Sequence, residues 1–341
     1  MLYIVMTTPV CNLSCKYCGG SLHGMPKEIT YPLSDLVDFI SKDNDAVIAF
    51  YGGEPLLKPE VIKEVIKQVP AKHFVINTNG YFINSIESCL HKFDSILLSI
   101  DGRKSVTDYY RQQGCYDKVI SARNYLKNQH YSGELIARMS VSLKSDIYKD
   151  VTHLLSLFPN VHWQLDIIWS PLWELDDFII WAEEQYIPGI IKLVSYWIDH
   201  IEKGKILGIV PFLGIMSRML HGGSGLPCQS GSKSVTITTD GTILACPIAP
   251  DFSWNKLGNI KEGFKKIYIG SPCTDCNIYS YCGGRCLFAH NERLWGDKGF
   301  EMMCHVTKKL VYELEKQKHI CKPFKDKLFY PRFNNTTEII P

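Results

Sequence analysis

Short apolar runs alternate with amphipathic segments through the N-terminal half of the chain, and this alternation restricts the folds open to it. Six runs have the composition of buried strands and lie at residues 2–8, 46–52, 73–79, 95–101, 134–142 and 161–168. Their apolar residues are continuous rather than alternating, which is typical of parallel strands covered on both faces. Strands joined by right-handed helical crossovers predict an α/β fold, either a partial barrel or a doubly wound sheet.

Polar residues, glycines and cysteines follow these strands at their C-terminal ends, where a (β/α) barrel carries its active site. Three cysteines follow the first strand, and Gly52-Gly53-Glu54 end the second. This placement favours a partial (β/α)6 barrel of TIM type over a doubly wound sheet.

Helical periodicity continues beyond the sixth strand. Residues 58–69 predict one crossover helix, and residues 177–205 predict one or two helices interrupted near Pro188 and Gly189. A further helix is predicted at about residues 300–318, and the tail after it has no clear period.

The composition changes after Pro211, where glycine and cysteine become frequent. Residues 235–248 predict a β-hairpin with Asp240-Gly241 at its turn. We therefore expect four regions: a barrel, a linker, a small cysteine-rich domain closed by a helix, and a tail, at residues 1–205, 206–227, 228–318 and 319–341.

The overall composition excludes several classes of protein. A formal net charge of +2 gives no polybasic surface for nucleic acid. No apolar run reaches the roughly 18 residues of a membrane span, and the N-terminus lacks the features of a signal peptide. We therefore expect a cytoplasmic protein with neither a nucleic-acid nor a membrane partner, in which thirteen cysteines serve metal binding or catalysis rather than disulfides.

Three of these cysteines lie in the segment CNLSCKYC, at positions 11, 15 and 18. Three thiolates can hold three irons of a 4Fe-4S cluster and leave the fourth iron free to bind a small molecule. A structural zinc site with a distant fourth ligand is the alternative.

This segment resembles the signature of the radical S-adenosylmethionine (SAM) superfamily, and the aromatic Tyr17 before the last cysteine fits it too. The resemblance implies that Cys11, Cys15 and Cys18 bind a 4Fe-4S cluster whose open iron chelates SAM. An electron from the cluster then cleaves SAM to methionine and a 5′-deoxyadenosyl radical, which abstracts hydrogen from a substrate.

Later strands carry further segments that resemble SAM-contacting positions of the superfamily. Gly52, Gly53 and Glu54 match a motif that receives the methionine amino group. The other positions implied to face SAM are Asn77, Asn79, Ser99, Asp101, Arg138 and Ser140. Ordinary turn chemistry, and an internal salt bridge for Arg138, are the alternatives.

Seven more cysteines form an ordered C-terminal set with spacings similar to the SPASM domain, an extension that holds two auxiliary 4Fe-4S clusters. Two zinc sites are the alternative, because Cys-x2-Cys knuckles occur in both. The resemblance implies an inner cluster on Cys228, Cys246 and Cys286 and an outer cluster on Cys273, Cys276, Cys282 and Cys304, hence three clusters in all.

One SPASM position departs from this pattern. Gly222 stands where many members have a further cysteine, so the inner cluster is expected to accept His221, an exogenous ligand or a substrate thiolate. Cys89, Cys115 and Cys321 fall outside both patterns.

Substrate-facing candidates lie on strand 6 and in the segments that follow strands 4 and 6. Asp166 is the candidate catalytic base or substrate ligand, with a helix cap or core salt bridge as the alternative. The other residues considered for the substrate groove, or for helix packing, are Gln164, Trp169, Trp173, Tyr109, Tyr110 and Arg111.

The resemblance predicts an enzyme that abstracts hydrogen from a peptide or protein and modifies it oxidatively. Thioether or carbon–carbon crosslinking is favoured, with formylglycine-type oxidation, as in sulfatase maturation, as the alternative. A zinc-stapled binding protein is the non-enzymatic alternative. The expected electron donor is a flavodoxin or ferredoxin. No domain of some 80 residues precedes the first strand, so leader-peptide binding is expected to use this surface or a separate protein.

Overall fold

The computed structural model describes residues 1–18, 24–166, 172–293, 295–328 and 340–341. Its strands are β1 (Leu2–Thr8), β2 (Val47–Gly52), β3 (His73–Thr78), β4 (Phe93–Ser99), β5 (Glu134–Val141), β6 (Asn160–Leu165), β7 (Gly208–Ile209), β8 (Ser234–Ile237), β9 (Thr242–Leu244), β10 (Lys256–Asn259) and β11 (Gly263–Phe264).

The α-helices are α1 (Leu33–Ile40), α2 (Pro59–Gln68), α3 (Lys104–Tyr110), α4 (Cys115–Asn128), α5 (Ile147–Leu155), α6 (Leu175–Trp181), α7 (Ile187–Glu202), α8 (Val210–His221), α9 (Tyr279–Cys282), α10 (Leu287–Glu292), α11 (Gly296–Lys316) and α12 (Lys318–Cys321). Short 3-10 helices span Pro55–Leu57, Ile83–Lys92, Ser253–Asn255 and Lys322–Lys327, and a π-helical turn spans Ala182–Tyr186.

Within the described residues the strands form one sheet in the order β11-β10-β9-β8-β1-β2-β3-β4-β5-β6-β7. Strands β1 to β7 are parallel neighbours in chain order. The α/β fold with a parallel sheet is therefore confirmed, and the sheet is open, with β7 and β11 as its edges.

The C-terminal region adds to the same sheet. Strand β8 pairs in parallel with β1, with Ser234 opposite Leu2 and Ile237 opposite Val5. Strand β9 returns antiparallel to β8 through a turn that contains Asp240 and Gly241, as predicted. The barrel and the cysteine-rich region thus share one hydrogen-bonded sheet, while the domain boundaries themselves stay a prediction.

The predicted interruption between residues 177 and 205 takes the form of the π-helical turn. Pro188 lies one turn later, near the start of α7. Because proline lacks an amide hydrogen, it cannot donate the regular helical hydrogen bond, and a locally wider turn accommodates that loss.

The inner face of the sheet changes character along the strands. Near the strand starts it is apolar and packs against Val210 of α8, with Leu2, Ile4, Ala49, Val75, Leu97 and Ile136 in one buried cluster. Side chains two residues further along lie on the same face, because side chains alternate across a strand. This face therefore becomes polar at Asn77, Ser99 and Arg138, next to the cysteine segment.

Candidate active site

The cysteine loop, residues 9–18, follows β1 directly at the C-terminal end of the sheet. Cys11 and Cys18 are exposed and Cys15 is partly buried. The loop is held by backbone hydrogen bonds, from the Lys16 amide to the Tyr110 carbonyl at 2.8 Å and from the Cys18 amide to the Cys15 carbonyl at 3.0 Å. Its thiols therefore lie on a fixed turn at the edge where the polar inner face begins.

The three thiols lie within one another's electrostatic field. Burial raises the pKa of Cys11, and the charges of Glu54 and Cys18 add to that rise. Burial likewise raises the pKa of Cys15 to about 12, with contributions from Cys18 and Cys11. Thiolates this close repel each other, so the donor set suits a cationic iron–sulfur group that removes the repulsion.

Among the residues that the structure describes, no group of three or more His, Cys, Asp or Glu side chains is arranged to hold a single metal ion. The auxiliary clusters and their zinc alternative therefore both stay predictions.

Gly52 and Gly53 bring the end of β2 against the cysteine loop. A Cβ at Gly52 would lie 2.2 Å from the Thr8 carbonyl oxygen, and one at Gly53 would lie 2.3 Å from that of Val10. The amide of Gly53 donates to the Thr8 carbonyl at 2.9 Å. The absence of a side chain at these two glycines therefore lets the end of β2 pack directly against the backbone of Thr8 and Val10.

Glu54 is buried and accepts three hydrogen bonds from protein groups. The donors are the Leu56 amide at 3.0 Å, the Thr78 hydroxyl at 2.6 Å and the Asn79 amide at 2.8 Å. Burial raises the pKa of this carboxyl group, while the three hydrogen bonds oppose the rise. Glu54 thus ties the end of β2 to the end of β3.

Asn79 extends this connection to the cysteine loop. Its side-chain Nδ2 donates to Oδ1 of Asn12 at 2.8 Å and lies 4.0 Å from the Cys11 sulfur. Its Oδ1 accepts from the Tyr81 amide at 3.1 Å.

Polar side chains that the sequence predicted to face SAM share the inner face of the sheet. Ser99 pairs with Arg138 in the register of β4 and β5, and Ser140 pairs with Gln164 in that of β5 and β6. Asn77 lies on the same face, and its buried Oδ1 has no hydrogen-bond partner among the described residues. Such an unpartnered acceptor suits a polar ligand with its own hydrogen-bond donors.

Asp101 is fully buried and bonded to protein groups. It accepts from the Tyr17 hydroxyl at 2.7 Å, the Arg111 guanidinium at 2.8 and 2.9 Å, and the Ser140 amide at 2.9 Å. The sequence analysis considered Arg111 only for the groove or for helix packing. An acidic residue at a strand end and an arginine ten residues later were the available signal.

Asp166 lies just beyond β6 and is buried. Its Oδ1 accepts a hydrogen bond from Trp173 Nε1 at 2.5 Å. The aromatic candidate Trp169 lies outside the described residues.

The predicted outer ligands form one electrostatic group. Burial raises the pKa of Cys273 to about 12, and the charges of Cys304, Cys282 and Cys276 add to it. Burial also raises the pKa of Cys282 to about 11, again with a contribution from Cys304. These contributions are consistent with the predicted outer ligand set, and the joint ligation by the four cysteines stays a prediction.

Of the predicted inner ligands, Cys228 lies near the strand starts, at the opposite end of the sheet from the cysteine loop. Cys228 and Gly222 line a cleft of about 940 Å³ beside the start of β1. Gly222 ends α8, and the His221 Nε2 atom lies 3.1 Å from the Lys325 carbonyl oxygen. The joint ligation by Cys228, Cys246 and Cys286 stays a prediction.

Comparison with known proteins identifies the N-terminal part of the chain. Residues 5–157 match the Radical SAM superfamily. Residues 5–157 form a radical SAM domain. Domains of this superfamily are enzymatic and use a 4Fe-4S cluster with SAM, so the predicted enzyme class is confirmed and the zinc-stapled binding protein is not supported.

Similar proteins extend over most of the chain. The Cysteine-type anaerobic sulfatase-maturating enzyme of Clostridium perfringens is 22% identical over 343 residues, which cover 87% of this chain and 91% of that protein. The radical SAM cyclopropyl synthase TigE of Paramaledivibacter caminithermalis is 23% identical over 369 residues, covering 91% and 73%.

A solved structure shares the fold. Native anSMEcpe with bound AdoMet and Cp18Cys peptide superposes with a TM-score of 0.71 at 18% identity, covering 96% of this chain and 99% of that one. Among the described helices, none combines the length and apolar character needed to cross a bilayer.

Proposed function

We propose that this radical SAM enzyme oxidatively modifies a side chain of a peptide or protein. The observation that carries the proposal is the polar stretch of the inner face at the ends of β3 to β5, where Asn77, Ser99 and Arg138 follow the apolar cluster two residues further along. Similarity to a sulfatase-maturating enzyme and to a cyclopropyl synthase over most of the chain supports a peptidyl substrate.

Cys11, Cys15 and Cys18 would hold the SAM-binding cluster. When bound, the cluster and SAM supply the one-electron chemistry that abstracts a hydrogen atom from the substrate. Arg138 offers a cation to the carboxylate of SAM, and Asn77 and Ser99 offer an amide oxygen and a hydroxyl to its polar groups. Glu54 and Asn79 keep the loop and the strand ends in register for that contact.

The seven C-terminal cysteines would hold two auxiliary clusters, which makes three clusters in all. Their proposed role is to accept the electron that the substrate radical loses, so that the product is oxidised by two electrons overall. Asp166 is the proposed acceptor of the accompanying proton, since it lies at the end of β6 on the substrate side. A flavodoxin or ferredoxin would supply the first electron, and the cytoplasm suits such reduced clusters.

Two outcomes of the oxidation are considered. Crosslinking is favoured by Gly222, which stands in place of a cysteine and shares with Cys228 a cleft open to an external thiol. Formylglycine-type oxidation is supported by the alignment with the sulfatase-maturating enzyme, which covers 87% of this chain and 91% of that enzyme. In both reactions the substrate loses two hydrogen atoms. Only formylglycine-type oxidation produces an aldehyde.

Anaerobic purification tests the proposal first. We expect a brown protein with about eight to twelve irons per chain. With dithionite and SAM it should form 5′-deoxyadenosine, and a synthetic peptide containing Cys and Ser should increase that formation. Mass spectrometry with a hydrazide probe then separates an aldehyde from a crosslink. A colourless protein that contains zinc and forms no 5′-deoxyadenosine would refute the proposal.

A further inference from the structure

Three side chains meet in a buried network behind the cysteine loop. Asp101 receives one hydrogen bond from Tyr17 and two from Arg111, so its two oxygens share three side-chain donors. The exposed fractions of the three side chains are 0% for Asp101, 8% for Tyr17 and 9% for Arg111. A carboxylate at this depth is stable only because the guanidinium and the hydroxyl pair with it.

The network is attached to the half of the loop that carries Cys15 and Cys18. Tyr17 lies directly between Lys16 and Cys18, and its ring packs against that of Tyr110 at a centroid distance of 5.7 Å. The Lys16 amide donates to the Tyr110 carbonyl at 2.8 Å. Side chain and backbone therefore fasten this half of the loop to the residues that end α3.

The same network reaches the strand that carries Arg138. The Ser140 amide donates to Oδ1 of Asp101 at 2.9 Å. A displacement of Asp101 would therefore move the loop and β5 together. Asp101 and Arg111 therefore place a buried anion and a buried cation directly behind the half of the loop that carries Cys15 and Cys18.

We propose that Tyr17, Asp101 and Arg111 are positioning residues that fix the cysteine loop and set the potential felt by the cluster it holds. The inference rests on the proposed function, because it takes Cys11, Cys15 and Cys18 as the cluster ligands. It assigns to Tyr17 and Asp101 a structural and electrostatic task rather than direct contact with SAM.

A matched control lies nearby on the same sheet. Asp150 is also fully buried and pairs with Arg103, whose Nε lies 2.7 Å from its Oδ1. This ion pair joins the turn after β4 to α5 and has no described contact with the cysteine loop. Asp150→Asn and Arg103→Gln therefore report the general cost of losing an arginine partner from a buried carboxylate.

The test compares reduction potentials in the anaerobically reconstituted holoenzyme. The measured quantity is the midpoint potential of the electron paramagnetic resonance signal that changes when SAM is added. Reduction adds an electron, so a nearby cation favours it and an anion opposes it. Arg111→Gln should shift the midpoint to more negative values and Asp101→Asn to more positive ones, with Asp150→Asn and Arg103→Gln unchanged.

Tyr17→Phe tests the positioning role without altering charge. It removes one hydrogen bond to Asp101, and we expect a chelator to remove the SAM-responsive iron roughly five-fold faster. Arg111→Lys keeps the cation and should restore the midpoint potential that Arg111→Gln lowers. This pair of variants tests the electrostatic role even if Asp101→Asn does not fold.

Equal shifts in all ion-pair variants, or no shift in any of them, would overturn the proposal while wild-type 5′-deoxyadenosine formation still supports the proposed function. A wild-type protein without a SAM-responsive signal would overturn both.

Discussion

Arg138 Nη2 donates a hydrogen bond to Oε1 of Gln164 across the inner faces of β5 and β6. An amide is neutral, so this contact orients the guanidinium without compensating its charge. Among the described residues, no carboxylate forms an ion pair with Arg138. A partly buried cation without a counter-ion favours an anionic ligand.

Removing this cation should weaken the binding of SAM. We expect Arg138→Gln to raise the dissociation constant about 10- to 100-fold, as the loss of a charged hydrogen bond predicts. Gln164→Glu should also weaken binding, because it supplies a competing carboxylate. Equilibrium dialysis measures both effects, with Arg123→Gln on the outside of the sheet as the control. Unchanged affinity in Arg138→Gln would remove Arg138 from the proposed site.

The cysteine loop should be separable from the auxiliary ligands. Replacement of Cys11, Cys15 and Cys18 together by Ala should abolish 5′-deoxyadenosine formation and remove about four irons per chain. The auxiliary iron should remain, because its ligands lie on other segments. Iron analysis and product chromatography measure the two quantities. Undiminished SAM cleavage in the triple variant would contradict the assignment.

The outer cysteine group offers a second iron count. Replacement of Cys273, Cys276, Cys282 and Cys304 by Ser should remove about four irons and leave the others in place. Burial raises the pKa values of Cys273, Cys282 and Cys304, and the charge of a neighbouring cysteine of this set adds to each rise. A loss of eight irons would mean that the inner and outer ligands are grouped differently from the prediction.

Gly52 should tolerate no side chain. Alanine there would place its Cβ 2.2 Å from the Thr8 carbonyl oxygen, so Gly52→Ala should destabilise the fold by about 3 kcal/mol or more. Gly204 is the control, since its φ of +78° is also positive but nothing lies within 4 Å of an added Cβ. Gly204→Ala should cost only about 1 kcal/mol. Thermal unfolding of the two variants measures the difference in their stability. Equal melting temperatures would contradict the predicted clash between the Cβ at position 52 and the Thr8 carbonyl oxygen.

Glu134 should make stability depend on pH. It lies at the start of β5, and burial raises its pKa from 4.5 to about 7. The folded protein therefore holds a proton that the unfolded chain releases between these two values, so this contribution to stability falls as the pH rises from 4.5 to 7. Glu134→Gln should flatten the fall and be about 3 kcal/mol more stable at pH 8.

Melting temperatures at pH 5.5 and pH 8 test this dependence. Glu301→Gln, on the exposed face of α11, is the matched control and should follow the wild type. An equal pH dependence in Glu134→Gln and the wild type would show that Glu134 ionises normally.

Local patterns predicted much of the fold. Continuous apolar runs predicted the positions of β1 to β6, and most of their ends agree with the structure to within two residues. A parallel strand buried on both faces is easy to recognise because its residues are apolar without interruption. The Asp240-Gly241 turn was predicted because glycine takes the positive φ there at little cost. The pairing of β8 with β1 left no local signal, since the two paired segments are more than 220 residues apart in the sequence.

The candidate site also contains features that the sequence predicted and features that it did not. The spacing of the outer cysteines predicts a shared cluster because cluster ligands from short loops recur at small intervals, and this assignment stays a prediction. Spacing did not predict that Glu54 and Asp101 would be bonded to protein groups, since an acidic residue after a strand has the same sequence pattern in both roles. The ion pair of Asp101 with Arg111 depends on how α3 returns over the strand end, which only the folded structure specifies.

The pairing of β8 with β1 has a consequence during synthesis. Residues 2–8 leave the ribosome roughly ten to fifty seconds of translation before their partner at Ser234–Ile237. Until then β1 is an open sheet edge directly before the cysteine loop, exposed to pairing with other chains. The nascent chain therefore contains the cysteine loop beside an unpaired edge of β1. Early chaperone binding or rapid translation would favour the pairing of β1 with β8 over pairing with other chains.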